Sequence, residues 1–142
     1  MQIELESEIF KVYWWDENQS ILIIELLAPW SWDIMYDLVE RTNELLDDMT
    51  HETYSILYVH ECAGQFPKDN QLSIKHISRL INLDPSKEEL VFFTGNIQFL
   101  KILIKISDTV HQLTRKTNKY HYADSVEDAL ATIQEYQLKM RL

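Results

Sequence analysis

The chain has 142 residues, 46% of them apolar and 11% aromatic, with a formal net charge of −10. That length and apolar content suit one globular domain with its own core and exclude a disordered chain, while the negative charge repels phosphate backbones and anionic membrane surfaces, so nucleic acid is not an expected partner. The single cysteine, Cys62, excludes an internal disulfide, and two glycines leave no material for a Gly-rich phosphate loop.

The chain opens M-Q-I-E-L-E-S-E, an acidic start unlike the positive beginning of a signal peptide. No run of about 18 apolar residues exists, so no membrane span is expected. Residues 8–15 (E-I-F-K-V-Y-W-W) are β-branched and aromatic and predict a strand. A polar turn at 16–19 and a second apolar run at 20–27 (S-I-L-I-I-E-L-L) complete an antiparallel hairpin. Ala28, Pro29, Trp30 and Ser31 break the second strand. A helix starts near Ser31 or Asp33 and runs to about Met49, with Ile34, Leu38, Leu45, Leu46 and Met49 on its buried stripe.

Residues 54–61 (Y-S-I-L-Y-V-H-E) predict a central strand, apolar on both faces, which runs into an irregular loop at 62–71. Helical spacing returns at 72–83 through Ile74, Ile77, Leu80 and Ile81. Residues 89–94 (E-L-V-F-F-T) read as a short buried parallel strand. Gly95 and Asn96 form a turn and N-cap before a helix at 97–115. That helix has apolar residues on more than one stripe, so a neighbouring helix or a second subunit must cover its other face; Phe99, Leu103 and Ile106 are the candidate dimer residues. Lys101, Lys105, Arg115, Lys116 and Lys119 read as the solvated face and end of this helix. Residues 119–123 form a last strand. Ser125, Val126, Glu127 and Asp128 resemble a capping box ahead of a closing helix that packs through Ala129, Leu130, Ile133 and Tyr136.

The expected order is β-β-α-β-α-β-α-β-α: a single α/β domain over 1–142, with a mostly parallel sheet, an antiparallel N-terminal hairpin and helices packed on the sheet.

Three stretches carry a resemblance that spans roughly residues 9–136. They are F-P-K-D-N at 66–70, E-L-V-F-F-T-G-N at 89–96 and Y-H-Y-A-D-S-V-E-D-A-L-A-T-I at 120–133. Together with the element order they resemble the STAS-like fold of anti-sigma-factor antagonists, and most closely the small bacterial STAS-like proteins. The resemblance implies a cytoplasmic, non-enzymatic interaction or regulatory module without a cofactor. It also implies an interaction loop at Phe66, Lys68, Asp69, Asn70 and Ser73. Regulatory members of the family carry a phosphorylated serine at the start of the helix after the central strand. Here that position falls on Asp69 or Asn70 and Ser73 lies too late, so the phospho-switch motif is missing. Asp69 at a helix start is explained by capping alone.

The candidate chemistry is sparse. Alternation along the central strand puts His60 and Cys62 on one side and Glu61 on the other. With no distant base identified, Cys62 is expected to be buried and inert. The five histidines form no H-x-x-x-H pair, so no metal site is expected, and Glu17, Glu25, Glu61 and Asp84 are scattered acids with no evident pairing. Trp14, Trp15, Trp30 and Trp32 flank the ends of the first two strands. They are candidates for ligand or interface aromatics, with core and lid packing as the plainer explanation. A second function therefore stays open: binding of a small apolar, lipid-like ligand, as the fold is similar in outline to CRAL-TRIO lipid-binding domains.

Overall fold

The computed structural model describes residues 2–63, 88–96 and 120–141. The helices expected at 72–83 and 97–115 lie outside the described residues, as do Phe66, Lys68, Asp69, Asn70, Ser73, Phe99, Leu103 and Ile106. The described chain is α/β. Its strands are β1 (Gln2–Glu6), β2 (Phe10–Trp14), β3 (Ile21–Leu26), β4 (Thr53–Val59), β5 (Glu88–Gly95) and β6 (Tyr120–Tyr122); its helices are α1 (Trp32–Asp47) and α2 (Val126–Arg141). The strands form one mixed sheet in the order β1-β2-β3-β4-β5-β6. β1, β2 and β3 are antiparallel, and β3 to β6 run parallel.

β1 is an addition to the expected order. Its alternation of Ile3 and Leu5 with Gln2, Glu4 and Glu6 becomes a strand only by pairing with β2, through a bulge between Ile3 and Leu5. Leu5 packs on the core beneath α1. The antiparallel part is therefore a three-stranded meander rather than a hairpin. The Ser7 hydroxyl closes its first turn by accepting from the amides of Ile9 and Phe10, both at 3.1 Å. The second turn is held by the Asp16 carboxylate, which accepts from the Ser20 amide at 2.9 Å, the Ile21 amide at 3.1 Å and the Ser20 hydroxyl.

Pleating sends alternate residues to opposite faces. One face carries Phe10, Val12 and Trp14 of β2, Leu22 and Leu26 of β3, Val59 of β4, and Val91 and Phe93 of β5; α1 covers it with Trp32, Tyr36, Leu38 and Leu46. The other face carries Ile21, Ile23, Tyr54, Ile56 and Phe92, covered by Ala129 and Ile133 of α2. β4 is thus apolar on both sides, as expected of a central strand. Both helices start at serine caps. Ser31 accepts from the Ile34 amide at 3.2 Å, and Ser125 accepts from the Asp128 amide at 3.1 Å. Each cap contributes about 1 kcal/mol. Burying Ile133 completely is worth about 1.5–3 kcal/mol and fixes α2 on the sheet.

Candidate functional site

On the face covered by α2, the residues at the strand beginnings and the strand ends differ in kind. The register aligns Ile21 with Tyr54, Ile23 with Ile56, and Glu25 with Tyr58. On β2, Lys11 sits opposite Glu25 and Tyr13 opposite Ile23; on β5, Thr94 sits beside Tyr58. Apolar rows under α2 therefore give way, toward the C-terminal ends of β3 and β4, to a polar row of Lys11, Glu25, Tyr58 and Thr94, with Tyr13 one step behind and His60 one step beyond. Strand ends of this kind are where open α/β sheets bind ligands.

Glu25 is the centre of the row. Its carboxylate Oε1 lies 2.9 Å from Nε2 of His60, and their side chains are 20% and 34% exposed. An ionised carboxylate only accepts, so Nε2 of His60 is the donor in this contact. The His60 amide donates to the Leu26 carbonyl at 3.0 Å, which extends the β3–β4 ladder by one residue and holds the imidazole above Glu25. Tyr58 packs against the imidazole, with ring centroids 4.2 Å apart and planes 33° from parallel. Burial, the nearby Glu25 carboxylate and a hydrogen bond to it push the Tyr13 phenol up to about 12. The Lys11 ammonium lies 5.3 Å from the centre of the Tyr13 ring, a cation–π contact worth about 0.5–1 kcal/mol.

Beyond His60 the chain leaves the sheet. β4 ends at Val59, and residues Glu61–Ala63 form a 3-10 turn closed by the Ala63 amide on the His60 carbonyl at 2.9 Å. The strand alternation expected for His60, Glu61 and Cys62 therefore does not apply. Cys62 is exposed, not buried: the turn carries it to the rim, where its thiol donates to the Leu27 carbonyl at 2.7 Å. Asn96 donates its side-chain amide to Glu61 at 3.2 Å and its backbone amide to the Val59 carbonyl at 2.8 Å. Gly95, at φ +108°, lets β5 pass this close. A Cβ there would fall on the Val59 carbonyl oxygen and within 2.8 Å of the carbonyl carbon.

The tryptophans divide three to one. Trp14, Trp30 and Trp32 are buried in the core with α1. Trp30 and Trp32 meet edge to face at 5.1 Å, and the Trp30 indole donates to the Ala63 carbonyl at 3.0 Å. Of the four candidate ligand or interface aromatics, only Trp15 stands at the surface, at 38% exposure. At the opposite end of the sheet lies an open groove of about 500 Å³. It is lined by Asn18, Ser20, His51, Glu52, Tyr54, Gln137 and Met140, a set that mixes polar and apolar surface. Among the described residues, no three His, Cys, Asp or Glu side chains stand together as a metal site, and no helix is long and apolar enough to cross a membrane.

The pairing of Glu25 with His60 was not legible as a pair, since 35 residues separate them. One signal was present: Glu25 is the only charged residue in β3, at a position whose pleat neighbours Ile21 and Ile23 are core. No protein-family model matches the chain, and no curated protein or solved structure is significantly similar to it.

Proposed function

We propose that the chain is a non-enzymatic STAS-like interaction module of the bacterial cytoplasm that acts by contact with a protein partner. In this reading it works without the phosphorylated serine of the regulatory family members, because Asp69 or Asn70 occupies that position. Phe66, Lys68, Asp69, Asn70 and Ser73 supply part of the contact surface in this reading. Phe99, Leu103 and Ile106, in the apolar stretch at 97–115, supply a homodimer face.

One observation carries the choice between this function and an apolar-ligand carrier: Trp14, Trp30 and Trp32 are spent on the core with α1. Three of the four aromatics expected to line an apolar pocket already have partners, and the groove at the other end of the sheet is open and of mixed polar and apolar lining. A carrier needs an enclosed, mostly apolar cavity. What remains half-exposed is a set of hydrogen-bonding groups around Glu25, which suits recognition of a polar surface.

Native mass spectrometry of the freshly purified protein tests the proposal. A dimer mass with nothing added supports it. A monomer that carries a few hundred extra daltons, lost on denaturation, overturns it in favour of the carrier.

A further inference from the structure

Exposed apolar surface on this chain is concentrated at one end. Among the described residues, five large hydrophobic side chains are exposed. Four of them lie toward the end of the sheet where β3 and β4 begin: Ile3 at 47%, Trp15 at 38%, Leu138 at 63% and Met140 at 57%. Hydrogen bonds hold their elements together there. The Gln19 side chain donates to the Gln2 side chain at 3.0 Å, and the Gln137 side chain donates to the Ser20 hydroxyl at 3.3 Å. Ile3 sits opposite Tyr13, and the Trp15 amide donates to the Ile21 carbonyl at 2.9 Å, so both residues share the sheet face on which α2 packs. α2 lies over β4 and β5, which leaves the β1–β2 part of that face at the surface. Single exposed apolar residues need no explanation, but a group of them at one place marks an interaction surface.

Leu138 faces the wrong way to be covered by its own chain. With about 3.6 residues per turn, it stands roughly 140° around α2 from Ile133, which is fully buried on the sheet. The side chain therefore points away from the core, and only another molecule can cover it.

Charge selects that molecule. Residues 2–20 carry Glu4, Glu6, Glu8, Asp16 and Glu17 against one base, Lys11, whereas α2 ends L-K-M-R, with two bases and no acid. The patch thus has an acidic half bearing Ile3 and Trp15 and a basic half bearing Leu138 and Met140. A foreign partner of either sign meets like charge on one half. A second copy of this chain, related by a two-fold axis, lays each half on its opposite, because in such an interface residue i meets j and j meets i.

We propose that this end of the α2 face is a two-fold interface between copies of this chain, with Leu138 of each copy set against Ile3 and Trp15 of the other and Lys139 among the other's acids. The interface goes beyond the interaction-module reading and is independent of the face at Phe99, Leu103 and Ile106.

The test is native mass spectrometry and analytical sedimentation of the full chain over a dilution series. Wild type is expected to form an even-numbered assembly. Leu138→Glu and Trp15→Ser each weaken it about ten-fold or more. Lys139→Glu weakens it as well, and adding Glu4→Lys with Glu17→Lys to that variant restores it. Leu138 and Trp15 are surface residues, and near-UV circular dichroism establishes that each variant is folded. A monomeric wild type, an assembly indifferent to Leu138→Glu and Trp15→Ser, or a charge reversal that the compensating pair does not restore overturns the interface. Leu103→Asp keeps the two faces apart. An assembly lost only with Leu103→Asp rejects this interface and supports the face at Phe99, Leu103 and Ile106. One lost only with Leu138→Glu does the reverse, and a tetramer halved by either variant supports both.

Discussion

Gly95→Ala is the sharpest single perturbation of the rim that carries the candidate site. Gly95 sits at φ +108°, and an added Cβ would fall on the Val59 carbonyl oxygen, 2.8 Å from the carbonyl carbon and 3.0 Å from the Val59 amide nitrogen. All three atoms are backbone of the central strand, so no side chain can swing aside. Two costs follow. Holding an L-residue in this conformation costs about 1–3 kcal/mol. Relieving the contact pulls β5 from β4 and breaks the 2.8 Å bond from the Asn96 amide to the same carbonyl, at about 1–3 kcal/mol for the orphaned group. Together the loss is about 2–6 kcal/mol, a large share of the 5–15 kcal/mol typical of a domain. In urea, with a slope of about 2 kcal/mol per molar, the midpoint falls by roughly 2 M at unchanged slope. Gly95→Asn separates the two costs. Asparagine tolerates positive φ better than alanine, yet brings the same Cβ to the same carbonyl, so it falls nearly as far. A midpoint within about 0.3 M of wild type for the alanine variant would refute the argument. Full recovery by asparagine would show that backbone conformation, not the contact with Val59, sets the cost.

Other outcomes are equally specific. Among the described residues, the hydroxyls of Thr53 and Ser55 are buried without a hydrogen-bond partner, so Thr53→Val and Ser55→Ala are each expected to raise stability by about 1 kcal/mol in chemical denaturation. Ile133→Ala, which empties the anchor of α2, is expected to cost about 2–5 kcal/mol. Tyr13 has its phenol pushed from 10.0 up to about 12, so the folded chain holds that proton where the unfolded chain releases it. Its contribution is therefore complete below pH 10 and is lost as pH rises toward 12. Tyr13→Phe should flatten that alkaline decline in stability and remove a late phenolate step from the absorbance titration.

Local order was legible wherever a short stretch carries its own cause. The serines that cap α1 and α2 were readable because a cap bonds an amide three residues away. The strands at β2, β3, β4 and β5 were readable from β-branched and aromatic runs, and their boundaries moved by only one or two residues. β1 was missed because two apolar residues among acids make no strand alone; pairing with β2 makes one. The proposed STAS-like resemblance rests on the sequence motifs alone, while the sheet order and the two packed faces are properties of the fold.

Composition and periodicity by themselves determined an acidic α/β chain with a central strand apolar on both sides, for these follow from hydrophobic pattern and helix and strand periods. Only the tertiary structure decided which polar residues meet. Glu25 and His60 are brought to 2.9 Å by the parallel register of β3 and β4. The exposure of Cys62 follows from the turn that ends β4, and the burial of Trp14, Trp30 and Trp32 from the docking of α1. Periodicity reports which face a residue takes along its own element; the neighbour it finds there is set by how distant segments align, which no local pattern encodes.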